Sequence, residues 1–181
     1  YGDFYLEPVT FSEIPKFLIE ALVATEDRRF FQHWGIDPFS LVRAAVVNLK
    51  EGKIKQGGST LTQQLAKNLF LVFDRSVERK VRELLLALWL EMSFTKEQIL
   101  TLYLNRVYFG SGVFGLRAAA EYYFGKSVSD LRLNEAAMLI GILKAPSNYN
   151  PRTNLSLAKK RTTQVLNNMM HAGSLEKNIL S

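Results

Sequence analysis

The chain has 181 residues, 48% of them hydrophobic and 22% charged, with no cysteine. That length suits one domain with a sizeable core, and the composition excludes a chain disordered throughout. The missing cysteines exclude a disulfide framework, and two histidines without cysteine argue against a His/Cys zinc site.

No stretch of about 18 uncharged apolar residues occurs, so no transmembrane helix is expected within this sequence, and no signal peptide is visible at Tyr1. The net charge of +6 is concentrated. Residues 43–82 hold nine Lys/Arg against three acids, and the remainder sums to zero. A focused basic field suits phosphate, pyrophosphate, nucleic acid or an anionic membrane face; on charge alone a solvated basic surface fits as well.

The pattern predicts a mainly α protein. Residues 13–25 place Phe17/Ala21 and Leu18/Leu22 four apart, as one helix face requires. A polar and aromatic turn follows, and Pro38 opens a second helix over FSLVRAAVVNL. Residues 50–58, rich in Lys, Gly and Gln, predict a mobile loop. Thr60-x-x-Gln63 and Thr95-x-x-Gln98 are capping boxes that open the next helix and the one after residues 77–92. Glycines 110, 112 and 115 mark a connection, LRAAAEYYF stops at Gly125, and residues 133–144 form a further helix. The last helix, 154–171, ends before Gly173. Strands are at most short.

Helix 77–92 is apolar on two sides. Val81, Leu84, Leu85, Leu88 and Met92 share one face, while Leu86 and Leu90 lie opposite, which predicts burial on both. Glu83 sits on the second side, so its carboxylate must be paired, and Arg79 and Lys80 are the natural partners. Base before acid is the weaker i,i+4 order, so local helix stability is a poor reason for the pair; an internal ion pair of no function is the plain alternative.

Glu26 and Asp27 end an apolar helix, where carboxylates oppose the helix dipole. Such a conflict marks a functional site or a local cap with Arg28 or Arg29. Gly57-Gly58-Ser59-Thr60 leads into a helix N-terminus, a suitable cradle for an anion or a plain glycine turn. Two S-x-x-K tetrads, Ser93–Lys96 and Ser156–Lys159, lack the K-T-G and S-D-N companions of serine acyl enzymes. His33 reads as a hydrogen-bonded structural residue rather than a base.

In order along the chain, Glu26-Asp27 through Phe30, His33, Gly35 and Asp37 resembles the E-D-x-x-F-x-x-H-x-G-x-D signature of peptidoglycan glycosyltransferases. Gly58-Ser59-Thr60-Leu61-Thr62-Gln63-Gln64-Leu65-Ala66-Lys67-Asn68 resembles their second motif. Arg79-Lys80-Val81-Arg82-Glu83 resembles the third, and Ile99–Gly110 the fourth, with Thr101 where Glu is frequent. Glu135–Leu139 through Pro146, Tyr149 and Pro151 resembles the fifth. The chain is thereby identified as a member of that family, the transglycosylase domain of class A penicillin-binding proteins and monofunctional relatives, glycosyltransferase family 51.

The resemblance implies a mainly α, lysozyme-like fold with two lobes, one domain over residues 1–181 and a mobile flap within about 39–58. It implies polymerisation of lipid II. The acceptor's sugar 4-hydroxyl attacks the anomeric carbon of a growing glycan lipid-pyrophosphate, with inversion, and undecaprenyl pyrophosphate leaves. Glu26 matches the family's general base. Lys67, Arg75, Arg79 and Lys80 are then candidates for holding the pyrophosphate, with Ser59, Gln63 and Gln64 as hydrogen-bond donors. Glu83 orients those cations or assists the leaving group. Asp27, Arg28, His33 and Asn105 support the site.

No obligatory cofactor and no dedicated metal cage is expected, although Mg2+ or Mn2+ on the pyrophosphate is compatible with the chemistry. The partners implied are lipid II, the growing glycan and a bacterial membrane surface, with no nucleic acid. The full-length protein is expected to carry a preceding transmembrane helix and a following transpeptidase domain, on the extracytoplasmic face of the cytoplasmic membrane. A lysozyme-like hydrolase is the principal rival; a neutral glycan, however, needs no cation cluster.

Overall fold

The structure, a computed structural model, describes residues 7–52, 57–69 and 77–175. Eight α-helices are present among them, and the one isolated β-bridge joins Tyr108 to Phe114. The chain divides into two compact units, one made of residues up to Arg28 and from Leu104 onward, the other of Arg29–Tyr103.

The first unit is built on α1 (Lys16–Glu26), α6 (Leu116–Phe124), α7 (Leu133–Ile142) and α8 (Leu155–His171). Helices α1, α7 and α8 pack on one another. Leu18, Leu22, Ala136, Ala137, Ile140, Val165 and Met169 are fully enclosed there. The small residues on α7 allow close approach: a side chain at Gly141 would meet the Arg161 stem of α8 at 3.1 Å. Asn154 caps α8 by accepting from the Leu157 amide, and Gly125 ends α6 in the left-handed conformation.

Ahead of α1, Glu13 closes a short turn. It accepts from the Thr10 amide at 2.7 Å, the Thr10 hydroxyl at 2.8 Å and Arg117 at 2.7 Å. The amide of Thr10, then Arg117, hold its carboxyl down at about 2. Glu135 is also lowered: burial pushes it upward, but the Lys126 ammonium and the Arg132 amide win. A carboxylate with a depressed folded pKa contributes stability that is present above its unfolded value and lost as pH falls. Acid unfolding of this unit should therefore set in below about pH 4.3. Urea midpoints read from pH 6 down to pH 2 should fall, and Glu13→Gln should flatten part of that slope. An unchanged slope in the variant would contradict the assignment.

The second unit holds α2 (Pro38–Glu51), α3 (Leu61–Leu69), α4 (Val77–Ser93) and the start of α5 (Lys96–Arg106), and α3 packs on α4. Asp37 caps α2, accepting from the Phe39 amide and from Ser40. Burial raises the Asp37 pKa, but the Ser40 hydrogen bonds and the Arg29 charge bring it below the ordinary value.

Two sequence expectations need correction. The expected loop over 50–58 begins later: α2 runs through Glu51 and stops at the left-handed Gly52, while Lys53 and Lys55 lie outside the described residues. Helix α4 is buried on one side only. Glu83, Ala87 and Leu90 are enclosed, whereas Val81, Leu85, Leu88 and Met92 are exposed. The inward side carries the small Ala87, whose carbonyl lies close to Gly35, so backbone can pack there; among the described residues nothing covers the leucine side. Lys96, paired with Ser93 in an S-x-x-K tetrad, has its ammonium engaged by the His33 carbonyl and Glu91.

Candidate active site

In the first unit, Glu26 is the final residue of α1, half-buried, and Asp27 is the buried C-cap, 6% exposed. The last turn of α1 has no basic residue, so the two carboxylates stand against the helix dipole as the sequence suggests. Arg28 turns back, donating Nε to the Ala24 carbonyl at 3.1 Å and reaching Asn168. Asn105 is tied at both ends: it donates to the Val9 carbonyl at 2.9 Å and accepts from the Val9 amide at 2.8 Å. Its amide thus fixes the segment leading to Glu13.

In the second unit, α3 starts where the capping box places it. Gln63 donates its amide to the Thr60 hydroxyl and accepts from the Thr60 amide, both at 3.2 Å. Gln63 is buried, with its carbonyl oxygen committed to the cap. Gln64 accepts from the Tyr103 hydroxyl at 3.0 Å. Ser59 is exposed directly before the cap, so its hydroxyl opens on the N-terminal end of α3. Lys67 is exposed in the last turn of α3. Arg75 lies outside the described residues.

Helix α4 brings its cations to that same end. Lys80 contacts one oxygen of Glu83 and stands 3.5 Å from the Ser59 hydroxyl. Arg79 holds the other Glu83 oxygen at 3.2 Å. The Glu83 side chain is only 5% exposed, against 27% for Arg79 and 42% for Lys80. The pairing expected for Glu83 is therefore present, with the carboxylate at the bottom and the ammonium toward water. Two cations against one anion, beside a helix N-terminus, leave a net positive end.

Glu83 spends both oxygens on Arg79 and Lys80, and no group of three or more metal-ligating side chains occurs among the described residues. His33 is buried, and its backbone carbonyl is held by Lys96. The Thr101 hydroxyl bonds back to the Glu97 carbonyl in α5.

Sequence reasoning missed the tie between Glu91, Thr62 and Lys96, which form a part-buried hydrogen-bonded group. The signal was available: Glu83, Ala87 and Glu91 follow one another four apart on α4.

An all-helical frame carrying a cation pair beside a capped helix N-terminus defines a site for an anionic group such as a phosphate. The sequence profile of the transglycosylase family matches residues 3–170, and the chain belongs to that family. It is a glycosyltransferase domain of the transglycosylase type. It is 53% identical over 165 residues to penicillin-binding protein 1A of Aquifex aeolicus, covering 91% of this chain and 23% of that protein. The Escherichia coli penicillin-binding protein 1A is 46% identical over 173 residues, covering 96% of this chain and 20% of that protein.

The chain thus spans about a fifth of the length of the curated relatives it matches. The crystal structure of penicillin-binding protein 1A from Haemophilus influenzae matches at a TM-score of 0.53 and 24% identity, covering 94% of this chain and 16% of that one. That likeness shows the fold, and the mainly α, lysozyme-like class expected from the sequence holds.

Proposed function

We propose that this domain polymerises lipid II by inverting, processive transfer from a growing glycan lipid-pyrophosphate to the 4-hydroxyl of an incoming lipid II. The observation that carries this reading is the Ser59–Lys80–Glu83–Arg79 cluster at the α3 N-terminus. A leaving pyrophosphate gains charge as the glycosidic bond breaks. Donors fixed beforehand stabilise that charge more in the transition state than in the ground state. Lys80 and Arg79 supply the charge, the Ser59 hydroxyl supplies a hydrogen bond, and Lys67 and Arg75 extend the basic field. Gln64 adds a polar side chain on α3, and Gln63 supports the cap.

Glu26 takes the proton of the attacking 4-hydroxyl as the new bond forms, because a sugar hydroxyl is a weak nucleophile. Glu83 holds Arg79 and Lys80 in place. Asp27, Arg28, His33 and Asn105 support the two units. Mg2+ or Mn2+ bridging the pyrophosphate is compatible with these steps. Offering lipid II and purified cell-wall sacculi side by side tests the class of reaction. Glycan chains from lipid II with intact sacculi fit the transferase; soluble fragments from sacculi with unused lipid II would assign a hydrolase.

The full-length protein is placed on the extracytoplasmic face of the bacterial membrane, anchored by a transmembrane helix and followed by a transpeptidase domain. Among the described residues no helix is long and apolar enough to cross a membrane. The second unit nevertheless carries 14 of the 17 exposed large hydrophobic side chains among the described residues. Phe39, Val42, Val46 and Leu49 on α2 and Leu85, Trp89 and Met92 on α4 are among them. An apolar surface of that extent beside basic residues suits the membrane interface, from which a lipid-linked substrate is drawn. Amide exchange on anionic vesicles should slow over α2 and the outer side of α4. Equal exchange with and without vesicles would remove the membrane contact.

A further inference from the structure

The group missed in the sequence links four segments of the second unit. One oxygen of Glu91 accepts from the Thr62 hydroxyl at 2.6 Å and from the Lys96 ammonium at 2.8 Å. Lys96 also donates to the His33 carbonyl at 2.7 Å and lies 4.4 Å from the centre of the Phe30 ring. The Glu91 side chain is 5% exposed and that of Lys96 21%. Beside this group, the Thr60 hydroxyl donates to the Gly35 carbonyl at 2.6 Å. Gly35, at φ +77°, sits so close to α4 that a side chain there would meet the Ala87 carbonyl at 3.0 Å and the Glu91 stem at 3.1 Å.

A buried ion pair is a poor device for stability, since apolar side chains of similar volume often serve as well or better. What such a pair does supply is direction. Both hydrogen-bonded ends of this one are informative. Thr62 lies in the first turn of α3, immediately after the Ser59–Thr60 anion end, and the His33 carbonyl belongs to the turn that α3 touches through Thr60 and Gly35. Glu91 lies two turns beyond Glu83 on the same face of α4, the helix that carries Arg79 and Lys80. The pair therefore bonds the anion-binding end of α3 to the helix that supplies its cations.

We propose that Glu91 and Lys96 are positioning residues: through Thr62 and the His33 carbonyl they fix the rotation and height of the α3 N-terminus, so that the Ser59 hydroxyl stands beside Lys80. Neither residue touches the donor. This rests on the assignment of that cluster to the leaving pyrophosphate. Small displacements of such donors act on the transition state more than on binding.

Thr62→Val removes the hydroxyl and keeps the branched shape, and Thr62→Ser returns the hydroxyl. Val165→Ala, a core truncation in α8 of the other unit, serves as the control for stability alone. Three quantities are measured for each: the melting temperature, kcat and KM for lipid II per folded molecule, and amide exchange. Thr62→Val should lower kcat about tenfold with KM within about threefold, and Thr62→Ser should recover to within about twofold. Exchange should quicken about tenfold at residues 33–35 and 61–64 alone. Val165→Ala should lower the melting temperature and leave kcat unchanged.

The proposal is overturned if Thr62→Val behaves like Val165→Ala, with kcat and local exchange at wild-type values. If no variant, wild type included, extends lipid II, the transferase assignment falls. The exchange comparison then decides the tie by itself: a local loss reversed by Thr62→Ser supports it, and a uniform or absent loss refutes it.

Discussion

Glu26→Gln should lower glycan polymerisation by about a thousandfold while leaving donor binding within a few-fold of wild type, as loss of a general base does. The change is nearly isosteric and removes only the proton acceptor. Its position sharpens the expectation. Glu26 ends α1 without a basic residue in the last turn, and Asp27 stands buried beside it. A carboxylate against the helix dipole costs about 0.3–1 kcal/mol, so the same substitution should leave stability unchanged or slightly raised. Activity and stability moving in opposite directions is the signature of a residue kept for chemistry. Steady-state rates with labelled lipid II and thermal melts of the same samples read both. A variant that keeps its rate would move the base elsewhere.

The second large effect is expected at Lys80. Its ammonium bridges Glu83 and the Ser59 hydroxyl, at the N-terminal end of α3. Lys80→Met keeps most of the stem and removes the charge. A donor aimed at developing negative charge contributes about 3–4 kcal/mol to the transition state, so kcat should fall between 100-fold and 1000-fold. Stability should fall as well, because the Glu83 carboxylate, 5% exposed, keeps Arg79 but loses the Lys80 ammonium. Glu83 gives the informative partner. If its carboxylate acts by holding Lys80 and Arg79, Glu83→Gln should cost much less in a Lys80→Met background than in wild type. Full additivity of the two losses would mean that Glu83 acts on the leaving group independently of Lys80.

How far the sequence reached depends on the kind of signal involved. Helix starts with a stereochemical cause were legible. Thr60 and Gln63 form the reciprocal cap that opens α3, and Pro38 after the Asp37 cap opens α2. The pairing of Glu83 was legible because a carboxylate at an apolar position has few options, and Arg79 and Lys80 lie four and three residues before it, on its own side of the helix. Burial was less so. Val81, Leu85, Leu88 and Met92 have the spacing of a core face, but that spacing does not distinguish a protein core from a surface that meets lipid.

Long-range hydrogen bonds left no local trace. Asn105 and Val9 are 96 residues apart, and Thr62 and Glu91 are 29 apart. Both contacts depend on packing that no single segment encodes. Gln63 illustrates the converse: a residue quoted for substrate binding has its carbonyl committed to a cap.

The most direct test follows the leaving group and the new bond together. Lipid II labelled in the sugar and in the lipid is incubated with the protein, and undecaprenyl pyrophosphate released is compared with glycosidic bonds formed, the anomeric configuration of the new bond being read by NMR. One lipid pyrophosphate released per bond, with every new bond inverted relative to the donor, is the predicted result. Release that exceeds bond formation, with free reducing sugar accumulating, would mean that water is the acceptor and would contradict a transferase.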